Sequence, residues 1–326
     1  MQSARPLRRR RAPDSGGAVM RHIAVLGPNP AWQKTLFFDR FQYDGINRAR
    51  EMQCFPAGKG INFCRAAKCH GKVPCKLIQF GGGDTGGYIC RELGKEEMDV
   101  WTVRTVAPTR TCSTCLCLAT QTMTEIIEPS YAATTAEVAS MLEYFHEALE
   151  GAEGAAFCGT LPTGTDPYLY GRAARLAAEF RKPLLLDSYQ NLQPVFDSGA
   201  ELWLKINADE LRAMTGEADI RAALRKVFTF NGIRFAAITD GPSDAWCGDG
   251  TRTAVYHLPE LEKVVNPIGC GDTASAVWMS EILSGTDPFE AFRIALGAAS
   301  ANCLSAFPGS YDPAEAARIA AVITLA

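Results

Sequence analysis

The sequence predicts an α/β fold in which a doubly wound, mostly parallel sheet carries a second, smaller β-sheet. Three observations support this fold: short apolar runs each end at a polar residue or a glycine, helix-like stretches separate them, and two regions alternate polar and apolar residues. Short apolar runs are typical of strands buried on both faces of a parallel sheet. Strands that alternate with helices give an α/β architecture, and 326 residues can form one large core.

The predicted strands of the large sheet are short and rich in aliphatic residues. They cover His22–Leu26, Leu77–Phe80, Ala155–Cys158, Leu184–Leu186, Leu202–Ile206 and Phe235–Thr239. Ligands of open α/β sheets bind beyond the carboxyl ends of the strands, so the polar residues at these ends are site candidates. They include Asn29, Gly159, Asp187, Asn207 and Asp240.

Stretches rich in Ala, Leu, Glu and Arg between these strands predict helices at Ala136–Leu149, Tyr168–Phe180 and Ala208–Met214. Residues 32–55 and 103–128 break this rhythm, because they alternate polar and apolar residues without helical spacing. We expect them to form inserted antiparallel strands that build a small sheet over a substrate cleft.

Composition excludes several classes of function. Apolar residues make up 47% of the chain and the net charge is −3, so neither nucleic acid nor an anionic membrane is expected as a partner. No apolar run approaches the roughly 20 residues of a membrane span. No secretion signal is visible, so we expect a cytoplasmic protein with reduced thiols.

Twelve cysteines are many for this length, and Cys112, Cys115 and Cys117 form the densest group. A zinc site would need a second pair of ligands at similar spacing, and the chain has only four histidines. Alternation of the last two cysteines with Leu116 and Leu118 favours a strand instead. Residues 1–19 contain a basic run at Arg8–Arg11 among prolines and glycines, which predicts a disordered N-terminal extension or a start codon assigned upstream of Met20.

The most specific motif is Asn266-Pro267-Ile268-Gly269-Cys270-Gly271-Asp272-Thr273, which precedes a clear helical pattern. Gly269 and Gly271 allow a tight turn that comes close to a ligand. The helix N-terminus offers free N–H groups and a positive dipole end, which suit a phosphate. An aspartate beside that site can accept the proton of an attacking hydroxyl. The alternative is that Asp272 simply caps the helix.

Two further motifs are of kinds that surround ligands in many enzymes, but each of them alone is weaker evidence for a ligand site. The turn at Gly58-Lys59-Gly60 leads into a helix that carries Asn62, and it lacks the spacing of a P-loop. Asn207 and Glu210 have the spacing Asn-x-x-Glu, which equally fits a helix-capping box.

The order of these motifs resembles the PfkB-type carbohydrate kinase family that includes ribokinase, over about residues 20–326. The resemblance implies a ribokinase-like fold with a small β-sheet lid, and ATP and Mg²⁺ as cofactors. It implies that Asp272 is the catalytic base and that the amides of Gly269, Cys270 and Gly271 form an anion hole, with Cys270 in place of the usual alanine.

The resemblance also assigns binding roles. Gly58, Lys59 and Asn62 would contact the sugar, and Glu210 would organise Mg²⁺ through water. The residues that it places near ATP are Lys205, Asn207, Thr239, Gly241 and Asn302. Judged by its helical surroundings alone, Asn302 is instead expected to be a solvated helix residue.

Three segments look like the 1-phosphofructokinase and tagatose-6-phosphate kinase branch of this family. They are Gly27–Ala31, Glu125–Pro129 and Gly159–Gly164. This resemblance implies a hexose phosphate as acceptor and a homodimer. Lys59 and Arg110 are candidates for holding the phosphate of the acceptor. The alternative for Arg110 is that it is an exposed strand residue.

Three residues depart from the pattern of that branch: Gln33 stands where an aspartate usually binds sugar hydroxyls, and Ala57 and Asp244 replace glycines. A kinase of an unphosphorylated sugar and an inactive sugar sensor therefore remain alternatives. A dinucleotide-dependent oxidoreductase is disfavoured, because no Gly-x-Gly-x-x-Gly follows the first strand.

Overall fold

The computed structural model describes residues 21–325, so the predicted N-terminal extension at 1–19 lies outside the described residues. The strands are β1 (His22–Leu26), β2 (Ala31–Phe38), β3 (Glu51–Ala57), β4 (Cys75–Gly81), β5 (Asp99–Arg104), β6 (Thr111–Cys117), β7 (Thr122–Ile127), β8 (Ala152–Cys158), β9 (Leu184–Asp187), β10 (Leu202–Asn207), β11 (Ile233–Thr239), β12 (Ala245–Gly248), β13 (Thr253–His257) and β14 (Thr324–Leu325). The helices are α1 (Lys59–His70), α2 (Gly83–Lys95), α3 (Thr135–Leu149), α4 (Leu169–Glu179), α5 (Gln193–Phe196), α6 (Ala208–Thr215), α7 (Ile220–Val227), α8 (Cys270–Leu283), α9 (Pro288–Cys303) and α10 (Pro313–Val322).

The larger sheet of the described chain has ten strands in the order β14-β13-β12-β11-β10-β9-β8-β1-β4-β5. All pairs from β11 to β5 are parallel, and β12, β13 and β14 extend one edge with antiparallel pairs. The strand order reverses at β1, which pairs with β4 on one side and β8 on the other. Such a reversal opens a crevice at the carboxyl ends of the two strands.

The sheet is covered on both faces, which confirms the doubly wound α/β prediction. In β1, Ile23 and Val25 pack into one core with residues such as Trp278 of α8, whereas Ala24 and Leu26 pack into the other with residues such as Phe145 of α3. All five residues of β1 are buried. Burial on both faces explains why the strand is almost continuously apolar.

A second sheet has the order β3-β2-β6-β7. We expected these strands to be antiparallel throughout, and this prediction is wrong for the central pair, because β2 and β6 are parallel with Trp32 beside Thr111. Strand β2 follows β1, and β6 follows β5. Because β1 and β5 run in the same direction in the large sheet, the chain leaves their carboxyl ends in the same direction both times. The second segment also starts later than predicted, because Val103 still belongs to β5 and pairs with Phe80.

The cysteine-rich stretch around Cys115 forms strand β6, as its alternation predicted. Within residues 21–325, no helix is both long enough and apolar enough to cross a membrane.

Candidate active site

The crevice at the strand reversal contains two adjoining cavities. The first has a volume of about 160 Å³ and the second of about 490 Å³. Both are lined by Asn29 after β1, Thr160 after β8, Ser188 after β9, and Arg110 before β6. The residues with binding roles implied by the resemblance that line the first cavity are Gly58, Lys59, Arg110 and Glu210, and the strand-end candidates Asn29, Gly159 and Asp187 line it as well.

Helix α1 begins at the wall of the first cavity. Gly58 precedes its first residue with φ of 124°, and a Cβ at this position would lie 3.0 Å from the Cα of Pro30. Glycine therefore allows the turn that brings Lys59, the first residue of α1, to the cavity.

Lys59 is paired with carboxylates on the opposite wall. Its Nζ donates a 2.7 Å hydrogen bond to Oδ1 of Asp187 and lies 3.6 Å from Oε1 of Glu210. Burial by itself lowers the pKa of Lys59, but the negative charges of Asp187, Asp272 and Glu210 outweigh it and raise this pKa. Lys59 is therefore a firmly charged lysine that already holds a carboxylate.

Asp187, at the end of β9, is almost completely buried with 1% of its surface exposed. Burial favours its neutral form, but the positive charges of Lys59 and Lys205 and a 2.6 Å hydrogen bond from Oγ of Ser275 lower its pKa to about 2. Asp187 is thus ionised at neutral pH and links α1, β9 and α8 around the cavity.

Asp272 lies in the first turn of α8, which Gly269 precedes with φ of 85°. Its carboxylate makes no capping hydrogen bond to the helix, so the capping interpretation is wrong; Oδ2 instead accepts a 2.8 Å hydrogen bond from Nδ2 of Asn62. Burial first, and then the charge of Asp187, raise the pKa of Asp272 to about 6, against the opposing effect of Lys59. Asp272 is 7% exposed and is not among the residues that line the two cavities.

The turn before Asp272 has the features of an anion site. The first N–H groups of a helix have no partner within the helix and carry the positive end of its dipole. Lys205 of β10 adds a positive charge, because a Cβ on Gly271 would lie 2.8 Å from its Nζ. A side chain at position 271 would displace this lysine, which gives a structural reason for glycine there.

Asn207 and Glu210 form a complete capping box at the start of α6. Oδ1 of Asn207 accepts from the N–H of Glu210, and Oε2 of Glu210 accepts from the N–H of Asn207. Thr239 lies beside Asn207 on the neighbouring strand, and Gly241 follows it in an exposed turn with φ of 57°. The carboxyl ends of β10 and β11 therefore bring three of the residues predicted to lie near ATP into one region.

The donor groups at this site fit a hydrated magnesium ion. Within residues 21–325, no cluster of three or more His, Cys, Asp or Glu side chains could hold a metal. Two carboxylates, those of Glu210 and Asp187, line the first cavity, and Asp187 is already held by Lys59. Mg²⁺ usually keeps several waters and binds one or two carboxylates together with phosphates, so this sparse set suits it better than it would suit zinc.

Asn302 lies inside the protein. It is 0% exposed, so it is not a solvated helix residue and its side chain cannot contact a nucleotide in this conformation. Its Nδ2 donates to the carbonyl of Ile268 at 3.0 Å, and its Oδ1 accepts from the N–H of Gly309 at 2.7 Å. The amide of Asn302 therefore joins Ile268, directly before the turn at Gly269–Gly271, to Gly309 in the loop after α9.

Gln33 does not line either cavity. It is 6% exposed, and its Nε2 donates a 2.8 Å hydrogen bond to Oγ1 of Thr114 across the small sheet. Trp32, the residue before Gln33, lies against Tyr88 of α2 with ring centroids 5.7 Å apart. In this conformation the side chain of Gln33 is used within the small sheet, and that of Trp32 packs against α2.

Asp187 is a functional candidate to which no role could be assigned from the sequence. Its position directly after an apolar run marked it as a polar residue at a strand end, but no motif surrounds it. Thr160 and Ser188, which line both cavities, were missed in the same way.

An open α/β sheet with a second small sheet, a helix start with the features of an anion site and a buried aspartate beside it are typical of a phosphoryl-transferring enzyme. Residues 28–314 match the model of the pfkB family of carbohydrate kinases, so the chain belongs to this family. It is therefore an ATP-dependent carbohydrate kinase.

Solved structures show the same fold. Phosphofructokinase-2 from Escherichia coli in complex with potassium has a TM-score of 0.83 and 22% identity, over 93% of this chain and 99% of that one. The complex of the same enzyme with fructose-6-phosphate gives a TM-score of 0.81 and 22% identity, over 93% and 99%. Ribokinase from Arabidopsis thaliana, complexed with ribose and ATP, gives 0.72 and 17% identity, over 92% and 99%.

Proposed function

We propose that this kinase transfers a phosphoryl group from ATP to a hydroxyl of a sugar phosphate, most simply a hexose phosphate. The observation that carries the proposal is the position of Arg110. Arg110 lines both cavities. Within residues 21–325, the only hydrogen bond of its guanidinium goes to the carbonyl of Asn29 at 3.4 Å, and its buried Nε has no partner. A guanidinium without a carboxylate partner at a cavity wall suits a bidentate phosphate.

Lys59 is less suited to the same phosphate. Its charge is already balanced by Asp187, so it would add attraction without being a free cation. Gly58 and Asn62 are proposed to contact the sugar itself, since Oδ1 of Asn62 is buried without a partner in the part of the chain that the structure describes, while its Nδ2 donates to Asp272.

Asp272 is proposed as the general base. A pKa of about 6 leaves most of this carboxylate ionised at pH 7, and it keeps enough basicity to accept a hydroxyl proton. Asn62 orients the carboxylate through Oδ2. The amides of Gly269, Cys270 and Gly271 would stabilise the negative charge that develops on the transferring group, with Lys205 nearby.

The nucleotide is proposed to lie along the carboxyl ends of β10 and β11. Asn207, Thr239 and Gly241 would contact ATP, and Glu210 would hold water molecules of Mg²⁺. When bound, this ion supplies positive charge that neutralises the phosphates. Asn302 would act only indirectly, by holding the turn.

The small sheet is proposed to act as a lid that excludes water during transfer. Its outer strand β7 exposes Met123, Ile126 and Ile127 by 39%, 55% and 58%. An exposed apolar strand of this kind favours pairing with another copy, so we include a homodimer in the proposal.

The test is ADP release with MgATP across a panel of sugars and sugar phosphates, for the wild type and for Arg110→Gln. We expect turnover with a hexose phosphate, and a KM for that acceptor about tenfold to a hundredfold higher in the variant, since a charge-assisted hydrogen bond contributes about 1.5–3 kcal/mol. The KM for ATP should not change. Arg175→Gln, on the exposed face of α4, is the matched control.

Two results would contradict this proposal. Turnover confined to unphosphorylated sugars, with a KM that Arg110→Gln leaves unchanged, would show that the acceptor class is wrong. Absence of turnover with every acceptor, although ATP binds, would favour the sensor alternative.

A further inference from the structure

Two thiols meet at the anion-site turn. Cys270 is the first residue of α8, and Cys303 is the last residue of α9. Their Sγ atoms are 2.9 Å apart, and both are free, half-buried thiols. The function proposed above uses the backbone amide of Cys270 and leaves both sulfurs without a role.

Both cysteines are held by hydrogen bonds. Nδ2 of Asn302 donates to Sγ of Cys270 at 3.1 Å, and the carbonyl of Cys303 accepts from the N–H groups of Val265 and Asn266 at 2.8 and 3.1 Å. These hydrogen bonds hold the side chain of Cys270 and the backbone of Cys303 in place, so the two sulfurs stay in contact at the turn.

We propose that Cys270 and Cys303 are a site of reversible disulfide formation that switches phosphoryl transfer off. This inference rests on the proposed role of the turn at Gly269–Gly271 as the anion site. Its chemistry requires a small disulfide, such as glutathione disulfide, as the oxidant.

The reaction is two successive thiol–disulfide exchanges. Sγ of Cys303 loses its proton and attacks one sulfur of glutathione disulfide; the S–S bond breaks and one glutathione leaves with a proton. Sγ of Cys270 then loses its proton and attacks the sulfur of Cys303, and the second glutathione leaves. Two protein thiols are oxidised by two electrons, and one glutathione disulfide is reduced to two glutathione molecules.

Cys303 is the better first nucleophile. A hydrogen bond from the thiol of Cys270 lowers the pKa of Cys303, whereas that contact and burial raise the pKa of Cys270. The thiolate is the reactive form of cysteine, so the exchange starts at Cys303 and ends at Cys270.

The bond changes the geometry of the anion site. An S–S bond is about 2.05 Å long, so the sulfurs must approach by about 0.9 Å from their separation of 2.9 Å. The hydrogen bond from Asn302 to Sγ of Cys270 is strained or lost at the same time. A misplacement of about 1 Å at reacting groups can slow turnover about a hundredfold.

The experiment treats the full-length protein with glutathione disulfide and follows both mass and turnover. Trypsin places the two cysteines in different peptides, because cleavage after Lys263, Arg293 and Arg318 separates them. We expect a cross-linked pair of these peptides, and a tenfold to hundredfold loss of turnover that dithiothreitol reverses. Cys303→Ser and Cys303→Ala should keep their turnover before and after treatment with glutathione disulfide. Cys90→Ser, which removes an exposed thiol, should lose turnover on treatment as the wild type does.

Three results would overturn the inference. They are absence of the cross-linked peptides, cross-linking without loss of turnover, or a loss of turnover on oxidation that is as large in both Cys303 variants as in the wild type. Should the reduced protein phosphorylate no acceptor, the proposed function fails separately, and the inference is decided by calorimetry of MgATP binding. Weaker binding by the cross-linked form would support it, and equal binding would overturn it.

Discussion

Replacing Asp272 with Asn should lower activity and raise stability at the same time. The substitution keeps the size of the side chain, and the Oδ of Asn can still accept the hydrogen bond from Asn62. It removes the charge that burial and Asp187 make unfavourable in the folded protein.

The size of the stability effect follows from the pKa. An unfolded aspartate has a pKa of about 3.9, so the folded protein, in which the pKa of Asp272 is raised to about 6, binds this proton more tightly than the unfolded chain does. Below about pH 4 the carboxyl of Asp272 is protonated in both the folded and the unfolded protein, so it does not lower the free energy of unfolding. As the pH rises from 4 to 6 only the unfolded chain ionises, so stability falls, and above pH 6 the cost stays near 3 kcal/mol at about 1.36 kcal/mol per pH unit. The Asn variant should therefore be more stable by up to about 3 kcal/mol at pH 8, and by less than about 1 kcal/mol near pH 4.

The assay combines urea unfolding at pH 4.5, 6 and 8 with ADP release. Turnover should fall about 10²- to 10⁴-fold, which is the usual contribution of a general base. In the wild type, kcat/KM should rise with pH through an apparent pKa of about 6. Asp44→Asn, at an exposed loop residue, controls for the loss of a negative charge. Near-normal turnover would refute the assignment of the base, and a stability difference that does not vary with pH would refute the account of its buried charge.

Two further predictions concern the residues around the base. Lys59→Met should lower the free energy of unfolding at pH 7 by about 2–3 kcal/mol, because Asp187 stays buried without its 2.7 Å partner; unchanged urea midpoints would show that Lys205 alone balances this carboxylate. Asn302→Leu should cost about 2–4 kcal/mol in urea unfolding, because buried groups of the turn lose their hydrogen bonds. A higher KM for ATP at full stability would instead return Asn302 to the nucleotide site.

Much of the fold could be predicted from local pattern. Strands such as β1 and β10 are buried on both faces, so their apolar runs are visible in the sequence. The start of α8 was equally visible, since glycines at 269 and 271 followed by an apolar helix have few other structural explanations. The capping box at Asn207 and Glu210 also depends only on neighbours in the chain, and the structure confirms that interpretation.

The features that were missed depend on contacts between distant residues. No residue near β2 indicates that its partner is the parallel strand β6, because this pairing depends on where β1 and β5 end in the large sheet. Asp187 has its role only because Lys59 and Ser275 arrive from other elements. Asn302 looked like a polar residue on an Ala-rich helix, and only the packing of α9 on α8 shows that its side chain points into the turn.

The parallel pairing of β2 with β6 also has a consequence for the order of folding. Residue 32 must meet residue 111, and a two-residue hairpin cannot join parallel strands. Their pairing closes a long loop, and that entropic cost falls once β1, β4 and β5 have assembled and hold the ends of the loop close together. We therefore expect the small sheet to form after the body of the protein. Its central amides should exchange with solvent through openings that leave the large sheet intact, so the part of the molecule that is proposed to cover the substrate would also be the first to open.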